Sequence, residues 1–227
     1  IISAPRLAYD VPRQTDGRVW GAFLPLYALE TRYTMGSGDY TAFGELVDSV
    51  AAWGGNLVGT LPLLPVFLDF PYDPGPYSPV SRLLWNEFYV DVTAVPEMAA
   101  CPEARDIVAS AGFQEAVAAA RRKRRVDYRN VMRLKRRVME QMCRHLTDEA
   151  GERLNELRRF GEENPRALDY AEFRAVIERR RTTWTDWPKK LRGGTIRNGD
   201  YDPAWRDYHL YAQWLAHRQL EALDAAA

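Results

Sequence analysis

The hydrophobic pattern near the N-terminal end alternates between two periods. Residues 58–67 are nearly all apolar, and Thr60, Pro62 and Pro65 within the run oppose a helix, so it predicts a strand buried on both faces. Residues 20–29, WGAFLPLYAL, predict an earlier buried strand of the same kind. Between them Phe43, Leu46, Val47, Val50 and Trp53 recur at helical spacing, with Asp39 placed as N-cap and Gly54-Gly55 as the stop. Gly36-Ser37-Gly38 lacks the glycine spacing of a phosphate or dinucleotide loop and reads as the entry to that helix. Strand, helix, strand is a βαβ unit, which implies adjacent parallel strands joined by a right-handed crossover. A β/α barrel begins this way.

Beyond residue 92 the helical period takes over and no third strand is apparent. Val131, Leu134, Val138, Met142 and Leu146 form one stripe, and Leu154, Leu157 and Phe160 begin a second that ends near Asn164-Pro165. A further helix is expected over 168–180, then a loop-rich stretch over 184–203 with Gly193-Gly194 and Asn198-Gly199. Leu210, Trp214, Leu215, Leu220 and Leu223 predict a last helix with no Gly, Asn or Pro to end it, so that helix is expected to continue. Residues 1–17 read as an extended approach segment. The expected organisation is therefore 1–92 as the start of a β/α barrel, 93–203 as a helical insertion, and 204–227 as a return helix at which the chain is truncated.

Residues 69–79 hold four prolines, a glycine and two tyrosines, a composition that fixes φ repeatedly and pre-shapes the loop. Parallel α/β folds place ligands at the C-terminal ends of their strands, where this loop lies. Composition narrows the partners. The 31 basic residues equal the 31 acidic ones, so no global field favours nucleic acid or an anionic membrane. The RRKRR run at 121–125 has acidic neighbours and no interleaved aromatic residue, and reads as a solvated helix end. No apolar run is long enough to span a bilayer and no signal pattern opens the chain. Cys101 and Cys143, too few for a disulfide framework, are expected as buried thiols in a reducing cytoplasm. His145, His209 and His217 lack metal-ligand spacing, so no metal is assigned, and no nucleophile-elbow or P-loop motif is present.

Resemblance adds a function. GTLPLLPVFLD followed by PYSPVSRLLWNEFYVDV resembles the N-terminal part of the 4-α-glucanotransferases of glycoside hydrolase family 77, and WGAFLPLYAL, GSGDYTAFGELVD, VDYRNVMRLKRRVME and YHLYAQWLAHRQLEAL match in the same order. The resemblance implies an α/β fold: the N-terminal part of a TIM-type (β/α)8 barrel with a largely α-helical insertion. It implies transfer of an α-1,4-glucan segment to the 4-hydroxyl of glucose or another glucan with retention, in the cytoplasm and without cofactor. Retention needs two carboxylates about 5 Å apart, and in the similar enzymes these come from later strands, so no catalytic residue is assigned and this chain alone is expected to be inactive. Asp39, Asp69, Asp73 and Asp91, near strand ends, are read as caps or turns. The family's serine-proline-tyrosine segment aligns as Gly75-Pro76-Tyr77, which nominates Tyr77, backbone at Gly75, and the adjacent Ser78 for glucan binding. Trp184 and Trp187 match a family pattern and are expected to be buried between helices. A second reading is a non-catalytic carbohydrate-binding or scaffold protein derived from the same barrel, and a third is a helical nucleic-acid-binding protein.

Overall fold

A computed structural model describes residues 19–226, and the approach segment expected at 1–17 lies outside them. β1 (Gly21–Phe23), α1 (Tyr40–Ala52) and β2 (Leu57–Gly59) form the expected unit, with β1 and β2 parallel and Gly21 opposite Leu57. Both strands are far shorter than the apolar runs that contain them. Pro25, at φ −58°, turns the chain into a 3-10 helix over Leu26–Ala28, and Pro62 and Pro65 have no N–H to give a ladder. The buried-on-both-faces expectation also fails for these strands: Phe23 is 65% exposed and Leu57 60% exposed. Burial moves downstream, to Val66 and Leu68, which belong to no strand.

Asp39 caps α1 as expected, its Oδ1 accepting from Ala42 N at 2.9 Å. The helix buries Val50 and half-buries Phe43, Leu46 and Val47, but Trp53, at its C-cap, is 72% exposed rather than on the buried stripe. Gly38 lets the entry to α1 run against the 3-10 turn: a Cβ there would lie 2.0 Å from the carbonyl oxygen of Leu26. Asp39→Ala removes an N-cap bond, and a loss of about 1–2 kcal/mol of stability is expected from denaturant unfolding.

The remaining helices are α2 (Pro96–Ala100), α3 (Pro102–Ala109), α4 (Ala111–Arg121), α5 (Tyr128–Glu149), α6 (Glu152–Glu163), α7 (Pro165–Arg180), α8 (Lys189–Arg192) and α9 (Pro203–Ala226). The main core joins the 88–92 segment, Phe88, Val90 and Val92, to Val131, Val138 and Met142 of α5 and to Tyr211, Trp214 and Leu215 of α9. α5, α7 and α9 are the frame. Alternate apolar residues of the 88–92 segment point into this core, yet its backbone pairs with no strand, so side chains satisfy it. Gln213 accepts from Trp85 N at 3.1 Å and donates to Trp85 O at 2.8 Å, and Gln219 brackets Asp91 in the same way at 2.9 and 2.8 Å. Lys135, buried in α5, donates to the carbonyls of Phe88 and Val90 at 2.7 and 2.9 Å. Burial pulls its pKa down, against the attraction of Asp39 and Asp91.

A smaller core holds Val176 and Ile177 of α7 with Trp187, Leu191 and Tyr201. Trp187 is buried as expected, its ring 5.4 Å from that of Phe173, whereas Trp184, in a short 3-10 turn, is 50% exposed. The basic run lies at the end of α4: Arg122, Lys123, Arg124 and Arg125 are exposed, and Lys123 pairs with Asp127.

Candidate functional site

The loop that follows β2 is built on the extended 62–68 segment. Asp73 N bonds Phe67 O at 2.8 Å, Val80 N bonds Pro65 O at 2.8 Å, and Asn86 N bonds Leu63 O at 2.9 Å, so the proline-rich segment is tied back at three places. Asp73 accepts from Gly75 N at 3.1 Å and Ser78 N bonds Gly75 O at 3.1 Å, which closes a turn across Gly75, Pro76, Tyr77 and Ser78. The structure therefore brings the three nominated residues together. Tyr77 stands out from the turn, 75% exposed, with Ser78 exposed beside it and Gly75 half-buried. The loop's other tyrosine, Tyr72, lies under the Arg129 guanidinium at 4.0 Å, which docks the loop on α5.

Of the four aspartates read as caps or turns, Asp39, Asp73 and Asp91 hold such roles. Asp69 does not. It receives both oxygens' worth of hydrogen bonds from Arg174 Nη2, at 3.0 Å each, and begins a network that sequence reasoning missed. Arg174 Nη1 reaches Glu87 Oε1 at 3.5 Å and donates to Tyr170 Oη at 3.1 Å. Arg136 grips Glu178 with two bonds at 2.9 and 2.7 Å and Glu140 with a third at 2.7 Å. His209 Nε2 lies 2.6 Å from Glu178 Oε1, so it carries the proton and donates to the carboxylate. His209 thus pairs with Glu178 and not with His217, eight residues away, which pairs with Glu221.

Burial sets these groups apart electrically. Burial alone would raise the carboxyl pKa of Glu178, but the bonds from His209 and Arg136 hold it at about 2. Burial lowers His209 to about 4 despite the attraction of Glu178, so the ring is neutral at ordinary pH. Arg174 outweighs burial at Asp69 and holds it down, while at Glu87 burial wins and the carboxyl is pushed up. The network lines a cavity of about 360 Å³ whose walls are Val66, Leu68 and Asp69 below the loop, α5, Arg174 of α7, and Tyr208 and His209 of α9. Tyr77 is not among its lining residues.

The fold also gathers Cys101, Glu103 and His145, whose ligand atoms lie within 4.8 Å of one another and can hold a metal ion in principle. Their separation along the chain hid them. Cys101 and Glu103 are two residues apart but His145 arrives on α5, and the Cys101 thiol, pushed up by burial, already sits 3.5 Å from Glu103 Oε2. Both cysteines are buried thiols, as expected. None of the described helices is long and apolar enough to cross a membrane.

Comparison with known proteins connects this geometry to a family. The family model described as 4-alpha-glucanotransferase, glycoside hydrolase family 77, matches residues 24–227. A 4-alpha-glucanotransferase of Mycobacterium bovis is 28% identical over 223 residues, covering 92% of this chain and 30% of its own. One from Haemophilus influenzae is 29% identical over 140 residues, covering 62% of this chain and 20% of its own. The amylomaltase of Corynebacterium glutamicum has the same fold over 94% of this chain and 29% of its own, with a TM-score of 0.70 at 20% identity. The chain thus spans less than a third of the length of the relatives it matches. By the match across nearly all of its described residues, this chain belongs to the 4-alpha-glucanotransferase family.

Proposed function

We propose that the protein acts as a 4-alpha-glucanotransferase, moving a segment of an α-1,4-glucan to the 4-hydroxyl of glucose or another glucan with retention of configuration. In this reading residues 1–92 begin a (β/α)8 barrel, 93–203 form a helical insertion and 204–227 a helix that returns to the barrel, in a cytoplasmic enzyme. The two carboxylates that retention requires belong to later strands of the family's chains. The candidate carboxylates here are otherwise engaged: Asp69 and Glu87 by Arg174, and Glu178 by Arg136 and His209. The 227-residue chain alone is therefore proposed to bind glucan without cleaving it.

The observation that carries the reading is the turn after β2, where a tied-down proline loop holds an exposed Tyr77 ring outward with Gly75 and Ser78 at its base. A ring offered in this way stacks on a pyranose face and its hydroxyl reaches a sugar hydroxyl. In the enzyme carrying the barrel's catalytic strands, Tyr77→Ala is expected to lower kcat/KM for maltotriose about 2- to 13-fold, the worth of one neutral hydrogen bond. Because Tyr77 is largely solvated, the melting temperature should not move. Unchanged kcat/KM, or a loss that only follows a loss of folded protein, overturns the assignment of Tyr77.

A further inference from the structure

Cys101 and His145 meet where the start of α3 packs on the end of α5, and each brings a carboxylate with it. Cys101 and Glu103 open α3, two residues apart, while His145 and Glu149 stand one turn apart at the end of α5. Each pair by itself is a local contact: Cys101 Sγ lies 3.5 Å from Glu103 Oε2, and His145 Nε2 lies 3.3 Å from Glu149 Oε1. The fold sets the pairs face to face. A sulfur, a carboxylate oxygen and an imidazole nitrogen from Cys101, Glu103 and His145 thereby all come within 4.8 Å of one another.

We propose that Cys101, Glu103, His145 and Glu149 bind a zinc ion, which clasps the start of α3 to the end of α5. Zinc bonds of about 2.3 Å to sulfur and about 2.0 Å to oxygen or nitrogen, at tetrahedral angles, place neighbouring ligand atoms about 3.3 to 3.5 Å apart. Both local pairs already have that spacing. The widest gap among the Cys101, Glu103 and His145 atoms is at most 4.8 Å, about 1.3 Å more than a tetrahedral edge. Rotation of the exposed Glu103 and half-buried His145 side chains closes it. None of the four residues lies in the loop after β2 or lines the cavity beneath it, so the clasp and the glucan reading stand or fall separately.

The donor set chooses the metal. A thiolate and an imidazole suit zinc, whereas magnesium and calcium take oxygen ligands throughout. Cys101 is buried and His145 half-buried, while Glu103 and Glu149 are exposed, so an ion reaches the soft donors from solvent past the two carboxylates. The helix ends agree with the charges. Cys101 is the N-cap of α3, whose positive end favours a thiolate, and the negative C-terminal end of α5 at Glu149 favours the cation. Burial pushes the Cys101 thiol up, against the amides of Ala104 and Glu103 that draw it down, and a coordinated cation deprotonates such a thiol outright. Arg153, which lines a cleft with His145 and Glu149, does not oppose the ion: Glu97 and Glu156 hold its guanidinium at 2.7 and 2.8 Å.

Titration of the longest chain the gene encodes, tag-free and stripped with a chelator, with zinc against a chromophoric competitor tests it. Zinc is expected to bind with a Kd of about 1 µM or tighter and to raise the melting temperature, while magnesium and calcium do neither. Cys101→Ser and His145→Gln should each weaken it about 100-fold, and Glu103→Gln about 10-fold. Glu103 is exposed, so its variant keeps the test clear of misfolding. Cobalt in place of zinc should show the near-ultraviolet charge-transfer band of a thiolate ligand, absent in Cys101→Ser. Zinc affinity that Cys101→Ser and Glu103→Gln both leave unchanged, or a cobalt spectrum without the thiolate band, overturns the site. Magnesium or calcium binding as tightly as zinc overturns the choice of metal, and no saturation by zinc up to about 100 µM overturns the proposal as a whole.

Discussion

Arg174→Met is expected to destabilise the protein by about 3–5 kcal/mol, because it leaves the buried Glu87 carboxylate without its cation and leaves the more open Asp69 only Arg136, at 4.0 Å. The guanidinium side chain is only 4% exposed and binds Asp69 and Glu87, from the loop after β2 and from the 3-10 turn at Glu87–Tyr89, so it ties two chain segments to α7. Burial already pushes the Glu87 carboxyl up with Arg174 in place. Without it Glu87 must take a proton or stay charged in an apolar site, and either alternative costs folding free energy. Measured against the typical 5–15 kcal/mol of a whole domain, the loss is large enough to show as a collapse of the denaturant midpoint. Adding Glu87→Gln to Arg174→Met should recover part of it, because the uncompensated charge is then gone. A midpoint within about 1 kcal/mol of the wild type would show that Arg174 is not the hub the geometry makes it.

The second large effect is acid sensitivity from His209. Its pKa is about 4 in the folded protein, lowered by burial from the usual 6.5. Between those values the unfolded chain binds the proton and the folded chain does not, so stability falls as pH falls through this window. The loss reaches about 2 kcal/mol between pH 7 and pH 5 and about 3 kcal/mol by pH 4. Glu178 adds a further loss below the ordinary carboxylate range, since its folded value of about 2 lies beneath the unfolded one. Glu87 and Asp39, both pushed up by burial, take up protons on folding and act in the opposite sense. His209→Gln isolates the histidine: an amide can still donate to Glu178 but does not titrate. Between pH 7 and pH 5 the wild type should lose about 2 kcal/mol more than this variant. Parallel stability curves for the two would mean that His209 is not held neutral by the fold.

What local chemistry alone specifies was legible in the residues. The period of 3.6 located α1, α5, α6 and α7, Asp39 and Gly54 marked the ends of α1, and the strand, helix, strand order gave the parallel direction of β1 and β2, though not their register. The helices and their ends depend on contacts a few residues apart or on a single capping bond, which a linear pattern records, and the strand direction follows from the handed crossover. The turn at Gly75 to Ser78 belongs with them, because proline and glycine set its backbone wherever it is placed.

Strand length did not, since a ladder needs a partner at every residue and the prolines at 25, 62 and 65 break pairing only where a neighbour is present to be paired. Nor did the ionic network. Asp69, Glu87, Arg136, Arg174, Glu178 and His209 stand on five different segments, and in the sequence each looks like one of the chain's many surface charges. The one local hint is the i, i+4 pair Arg174 and Glu178, which on an isolated helix would face each other. The fold turns both toward other partners instead. Desolvation depends on everything packed around a group, so burial of these charges and the neutral state of His209 came into being only when α5, α7 and α9 closed on the loop after β2.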